Sequence, residues 1–122
     1  MTRDFDPSAS PSAALRRAVH QRLAAVAEAT PDALPARLAG LAHPETQWRV
    51  AHPMNHVEGG EAALAHVYGP LKTAFPDLER RDDIFVGGTC GGRCYLAAAG
   101  HYCGTMHGDW LGIPATNKVV YL

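Results

Sequence analysis

Long apolar runs are the first thing this sequence lacks. None approaches the ~20 residues of a membrane span, so no membrane partner is expected. It also lacks an excess of charge: 11 Lys and Arg stand against 12 Asp and Glu, a formal net charge of -1. A dedicated electrostatic nucleic-acid binder is usually basic, so that class is disfavoured too. Cysteine is scarce. Cys90, Cys94 and Cys103 are an odd, sparse set and a poor disulfide framework. Cys94 and Cys103 lie an odd number of residues apart on one expected strand and so face opposite sides. The N-terminal stretch MTRDFDPSASPS has none of the apolar core of a signal peptide. Reduced thiols and a cytoplasmic location are therefore expected.

What is present is one domain's worth of chain. For 122 residues and 13.0 kDa, surface scaling gives roughly 6,300 Å² folded against roughly 19,000 Å² unfolded, enough for a real core. Hydrophobic residues make up 47% and charged residues 19%, the balance of a globular domain. The 7 histidines are many for this length and are the first candidates for chemistry.

Residues 1–10 read as a flexible tail and 11–122 as a single domain. Ser10-Pro11 is a cap-plus-proline start, and Leu15, Val19, Leu23 and Val26 follow on one helical stripe. Thr30-Pro31 repeats the signal before Leu34, Leu38 and Leu41. Gln47–Ala51 alternates as a strand ending at His52-Pro53. Gly59-Gly60 precedes a third helix with the stripe Leu64, Val67, Leu71 and Phe75, kinked at Gly69-Pro70. Beyond Pro76 the pattern is β: a strand over 83–86, a glycine-rich turn over 89–93, a long strand over 94–107, a loop over 108–117 and a further strand from Lys118. Three helices followed by hairpin-linked strands make an α+β layout, helices against one face of a curved sheet.

Gly100-His101-Tyr102-Cys103-Gly104-Thr105, followed by Asp109-Trp110-Leu111-Gly112-Ile113-Pro114-Ala115-Thr116-Asn117-Lys118, resembles the SnoaL-like polyketide cyclase family. Its pattern is Gly-x-His-x-Gly and then Leu-Gly-x-Pro-x-Thr-Gly-Lys. Asn117 replaces the family's glycine, and asparagine tolerates the left-handed backbone such a turn uses. His52-Pro53 with Gly59, and Phe75-Pro76-Asp77-Leu78, are similar to two further family stretches. The resemblance covers about residues 40–122. It implies the nuclear-transport-factor-2-like fold, a cone of curved antiparallel sheet around helices with an apolar pocket inside. It also implies that the family's last strands, carrying an acid/base aspartate, are missing after Leu122. The apolar edge Val119-Val120-Tyr121-Leu122 would then need a partner, which makes a homodimer the expected assembly.

The family reaction is an intramolecular aldol cyclisation of a polyketide ester, with one base, one hydrogen-bond donor and no cofactor. The resemblance implies an apolar or polycyclic carbonyl compound as the small-molecule substrate. His101, in the Gly-x-His position, is the leading catalytic candidate as base or donor, and the alternative is a strand histidine bonded to its neighbour. His52 is the second. Asp109 is the carboxylate nearest the histidine-rich strand, or simply a solvated loop residue. Asn55 and His56 line the pocket mouth or cap the third helix. Trp48, Tyr68, Phe85, Tyr102 and Trp110 are candidate walls for a flat ligand, or core. No metal site is expected. His101 and His107 share a strand face but lie some 20 Å apart, and His52 with His56 falls in a loop. The competing reading is a non-catalytic ligand-binding or dimerisation module of the same fold.

Overall fold

The computed structural model describes residues 12–122, together with the backbone of Phe5–Asp6. The expected start at Ser10-Pro11 lies outside the described residues. Helix α1 (Ala13–Glu28) is instead capped by Ser12, whose Oγ accepts a hydrogen bond from the Leu15 N–H at 3.1 Å. Its stripe is graded. Leu15 is exposed, whereas Val26 and Ala27 are buried where the helix meets α2 (Leu34–Leu41). Thr30 holds the turn before α2, its Oγ1 accepting from the Ala33 N–H at 3.3 Å.

Strand β2 (Gln47–Arg49) is shorter than expected and pairs antiparallel with an unexpected strand, β3 (His56–Glu58). Val57 is the buried residue of β3 and faces Trp48. The third helix starts as α3 (Gly60–Ala63), widens to a π-helical turn over Leu64–Tyr68 and resumes as α4 (Gly69–Ala74). The sequence reading placed a kink at Gly69-Pro70, and the proline is accommodated by that wider turn. The Gly69 N–H reaches five residues back to the Leu64 carbonyl. Val67 and Tyr68 both pack on the core that α1, α2 and α3 share.

The main sheet has the order β1-β4-β5-β6. Strand β1 (Phe5–Asp6) pairs with the end of β4, within the stretch read as tail. Strand β4 (Glu79–Cys90) is far longer than the expected 83–86. Its charged run Glu79-Arg80-Arg81-Asp82 pairs with β5 (Arg93–Thr105), and Gly87 and Gly88 continue the strand rather than close it. Gly91 and Gly92, both at positive φ, form the turn. β6 (Val119–Tyr121) completes the order on the far side of β5.

The register shifts between Asp82 and Ile84, so that Asp83 is the extra residue of a β-bulge. Gly100 lies opposite. A Cβ there would collide with the Arg81 carbonyl oxygen and come within 2.8 Å of the Asp82 Cα. The bulge turns Arg80, Asp82 and Phe85 toward the helices, and Ile84 and Val86 away from them.

A second core cluster joins α4 to the sheet. Phe75, 1% exposed, packs with Ala27, Leu71, Ala74, Leu78 and Met106. The large side chains among them, Phe75, Leu71, Leu78 and Met106, each contribute roughly 1.5–3 kcal/mol by burial. Lys72 is buried beside this cluster, and its Nζ donates to the Ala27 carbonyl at 2.7 Å. The residue four positions after Ala27 is Pro31, which has no N–H to offer, so the lysine supplies the missing donor. Burial lowers the Lys72 pKa from its ordinary value. Asp77 ties the end of the third helix to β5. One carboxylate oxygen accepts the Thr105 N–H and the other the Thr105 hydroxyl, each at 2.7 Å. Those two bonds hold its pKa below the usual carboxylate value. Among the described residues no helix is long and apolar enough to cross a membrane.

Three variants check this account. Gly100→Ala is expected to cost about 1–3 kcal/mol in a urea melt, because its methyl meets backbone. Gly40→Ala, in α2 with nothing within 4 Å of the new methyl, is expected to gain about 0.5–1 kcal/mol. Asp77→Asn is expected to lose about 1 kcal/mol at neutral pH, a modest value because the carboxylate is exposed. A depressed folded pKa stabilises above the unfolded value of about 3.9 and stops doing so as pH falls through the folded value. The gap between wild type and Asp77→Asn should therefore close on acidification below about pH 4. A gap that is constant with pH would refute the assignment.

Candidate functional site

The helix-facing side of the β4–β5 hairpin carries a connected set of polar side chains. Arg80 and Asp82, two residues apart, share that face. The Arg80 Nε lies 3.1 Å from both carboxylate oxygens of Asp82, whose side chain is 5% exposed. His20, two turns into α1, brings its Nε2 to 3.3 Å from the Asp82 Oδ2. The same ring meets Phe85 edge-on at 5.4 Å. His20 is itself 47% exposed, so the buried carboxylate is linked through one imidazole to solvent.

On the other side of Arg80 the set continues into the core. Its Nη1 donates to the Tyr102 hydroxyl oxygen at 3.1 Å, and the guanidinium lies 5.6 Å from the Tyr102 ring centroid. Burial works against the Arg80 charge, but the hydrogen bond to Asp82 and the neighbouring Tyr102 outweigh it and raise its pKa. Tyr68, delivered by the π-helical turn, stands beside Tyr102. Its phenol is pushed up to about 12, first by burial and then by Tyr102, so it stays protonated at neutral pH. Trp48 meets Tyr68 edge-on at 5.7 Å. Its indole N–H is buried without a hydrogen-bond partner among the described residues.

A cavity of about 220 Å³ opens against this set, lined by Arg80, Asp82, His101, Tyr102, Leu122 and the small floor residues Ala98 and Gly100. The floor is low because glycine and alanine stand where β5 could have carried large side chains. An open depression of about 350 Å³ adjoins His20 and Phe85 on the α1 side.

Of the residues singled out from sequence, Trp48, Tyr68, Phe85 and Tyr102 lie along this network. His101 also lines the cavity, and the others lie elsewhere. The His101 side chain is on the opposite face of the sheet, in register with Arg81. Its Nδ1 is 3.9 Å from Asp83, and its ring is edge-on to Tyr121 at 5.4 Å. His52 is exposed in the β2–β3 connection. Asn55, at φ 56, turns that connection and donates to the Pro53 carbonyl at 3.3 Å. His56 is an exposed residue of β3, so neither Asn55 nor His56 caps the third helix. Asp109 accepts the Ala115 N–H at 2.8 Å, and Trp110 packs edge-on to Phe75 at 5.8 Å.

Sequence reasoning missed His20, Arg80 and Asp82. Arg80 and Asp82 lie in the all-charged run 79–83, which has no apolar residue to mark a strand face. His20 falls outside the apolar stripe of α1 and gave no signal.

At the level of sequence, no family profile matches the chain and no curated protein does. A solved structure does match in shape. It is described as a SnoaL-like polyketide cyclase from Jannaschia sp. CCS1, is 20% identical and has a TM-score of 0.63. The match covers 91% of this chain and 74% of that one. Helix order, antiparallel sheet and this likeness agree, and the chain has the α+β fold of SnoaL-like proteins, the nuclear-transport-factor-2-like fold.

Proposed function

We propose that this chain binds a small apolar carbonyl compound in the inner cavity and moves a proton on it without a cofactor. The observation that carries the reading is the state of the Tyr102 hydroxyl. Its oxygen accepts from the Arg80 Nη1, so its own proton is left for another acceptor. The cavity that Tyr102 lines is where such an acceptor can sit. Asp82 lines the same cavity. In this reading Asp82 takes a proton from the carbon next to the carbonyl and His20 relays it to solvent. Tyr102 donates to the developing enolate oxygen. Arg80 holds Tyr102 and Asp82 in place. At about 220 Å³ the cavity is below the ~300–1,000 Å³ of ordinary ligand pockets. A single ring or short chain fits better than a polycycle.

Proton-deuterium exchange next to the carbonyl of cyclohexanone, followed by NMR in D₂O, tests this. The expected result is exchange faster than buffer, reduced roughly 10²-fold or more in Asp82→Asn and about 10–10²-fold in Tyr102→Phe. Cooperative urea melts would show that the variants fold. His101→Ala is expected to keep the activity. Loss there and not in Asp82→Asn would make His101 the base of this cavity in place of Asp82. Exchange at the buffer rate, with cyclohexanone still bound, would leave a binding module.

The second reading, a homodimer, is favoured by the outer face of the sheet. Ile84, Val86, Tyr95, Val119 and Tyr121 are exposed there, Ile84 at 57% and Tyr121 at 65%. Such a patch on a β-sheet calls for cover. Light scattering should give a dimer for the wild type and a monomer for the double variant Ile84→Lys, Val86→Lys. A wild-type monomer would remove this reading. The three cysteines are free thiols and suit a reducing compartment such as the cytoplasm.

A further inference from the structure

A second hollow lies on the helical side, away from the polar network. One part, about 460 Å³, runs between α2 and the start of the third helix. It is floored by Leu38, Ala39, Ala42 and Leu64 and edged by Glu58 and Glu61. The next, about 560 Å³, continues along the third helix to Trp110, Leu111 and Asp109. Pro35 and Leu64 line both, so the two are one groove. From Glu61 to Pro70 it follows about 13 Å of helix, the span of roughly four residues of extended chain.

The walls are apolar, and the charge sits at the ends. Glu58 and Glu61 stand at one end and Asp109 at the other. The groove's own cation does not offset them, because the Lys72 ammonium is turned inward onto the Ala27 carbonyl. The Asp109 end also presents an apolar side chain at a conformational cost. Leu111 has φ 51 in a tight turn closed by the paired bonds of Trp110 and Ile113, and it is 44% exposed. Leucine disfavours that backbone, which glycine or asparagine adopts freely.

We infer that this groove is a docking site for a partner protein, and that it takes a short extended apolar segment flanked by lysine or arginine. Length, apolar floor and acidic ends each match a part of that segment. The site is separate from the polar network, so its test does not depend on the proposed proton transfer.

The test uses the whole chain and a fluorescein-labelled peptide, acetyl-Lys-Leu-Val-Leu-Lys-amide, read by anisotropy. The expected result is saturable binding that weakens as salt is raised. The counterpart with both lysines replaced by glutamate should bind at least about tenfold more weakly. Ala39→Arg, at an exposed position of α2 where arginine suits a helix, should weaken binding about tenfold or more by filling and recharging the groove. Its urea melt should be unchanged. Leu111→Ser should weaken it by a smaller factor. No saturation up to about 1 mM, equal binding of both peptides, or an unaffected Ala39→Arg variant would overturn the assignment. So would n-hexylammonium displacing the peptide with equal affinity, since the groove would then be a site for small amines.

Discussion

The close approach of two backbones at Gly100 sets the geometry on which the rest depends. With no Cβ in the way, β4 can push one extra residue, Asp83, into the ladder opposite it. Side chains alternate strictly along a strand, so one inserted residue changes which of them face the helices from that point on. Before the bulge the inward residues are Arg80 and Asp82. After it the inward residue is Phe85, and Ile84 and Val86 point out. Without the insertion Ile84 and Val86 would share a face with Asp82, and Phe85 would leave His20. Polar network, aromatic contact and outer apolar face are three consequences of one local kink.

The network is an expensive thing to bury. Removing one partner of a buried pair typically costs 3–5 kcal/mol, while an apolar replacement of the whole pair is often neutral or better. Stability alone therefore gives no reason to keep Arg80 and Asp82 on the helix side of the sheet. Their value lies in position. Arg80 touches Asp82 and Tyr102 at once, and Asp82 also meets His20. Three elements, α1, β4 and β5, are thereby locked to one arrangement of donors and acceptors around a small cavity. Fixed dipoles of that kind need no reorganisation when charge develops on a bound molecule.

The fold was legible where periodicity is strong. Leucine stripes placed α1, α2 and the third helix, and the turn glycines placed the β4–β5 hairpin. The short strand β3 was not legible, because three residues ending at Glu58-Gly59 carry one buried side chain, Val57. The charged start of β4 hid its length, since alternation of Glu79, Arg80, Arg81 and Asp82 contains no apolar residue to count. The site was half legible. Aromatic residues on the network could be guessed from residue type. The choice among histidines could not, because small residues in β5 blur its alternation and the bulge in β4 is invisible without its partner. His101 led the choice, and its place opposite Arg81 is visible only once the register is known.

That register also explains an inversion. In a sheet with one face on the core, apolar residues normally point in and polar ones out. Here Arg80, Asp82 and Tyr102 point toward the helices, while Ile84, Val86, Tyr95 and Tyr121 are exposed on the other side. The core proper has moved off this part of the sheet, to Phe75 and Leu78 at one end and to the helices at the other. A hairpin built this way gains little from its own chain on either face. A molecule in the cavity would complete its inner face, and a partner on the apolar patch its outer face. Binding on either face would add stability by mass action. A ligand in the cavity and a partner on the outer face would then stabilise the same two strands, so each should tighten the other if both bind.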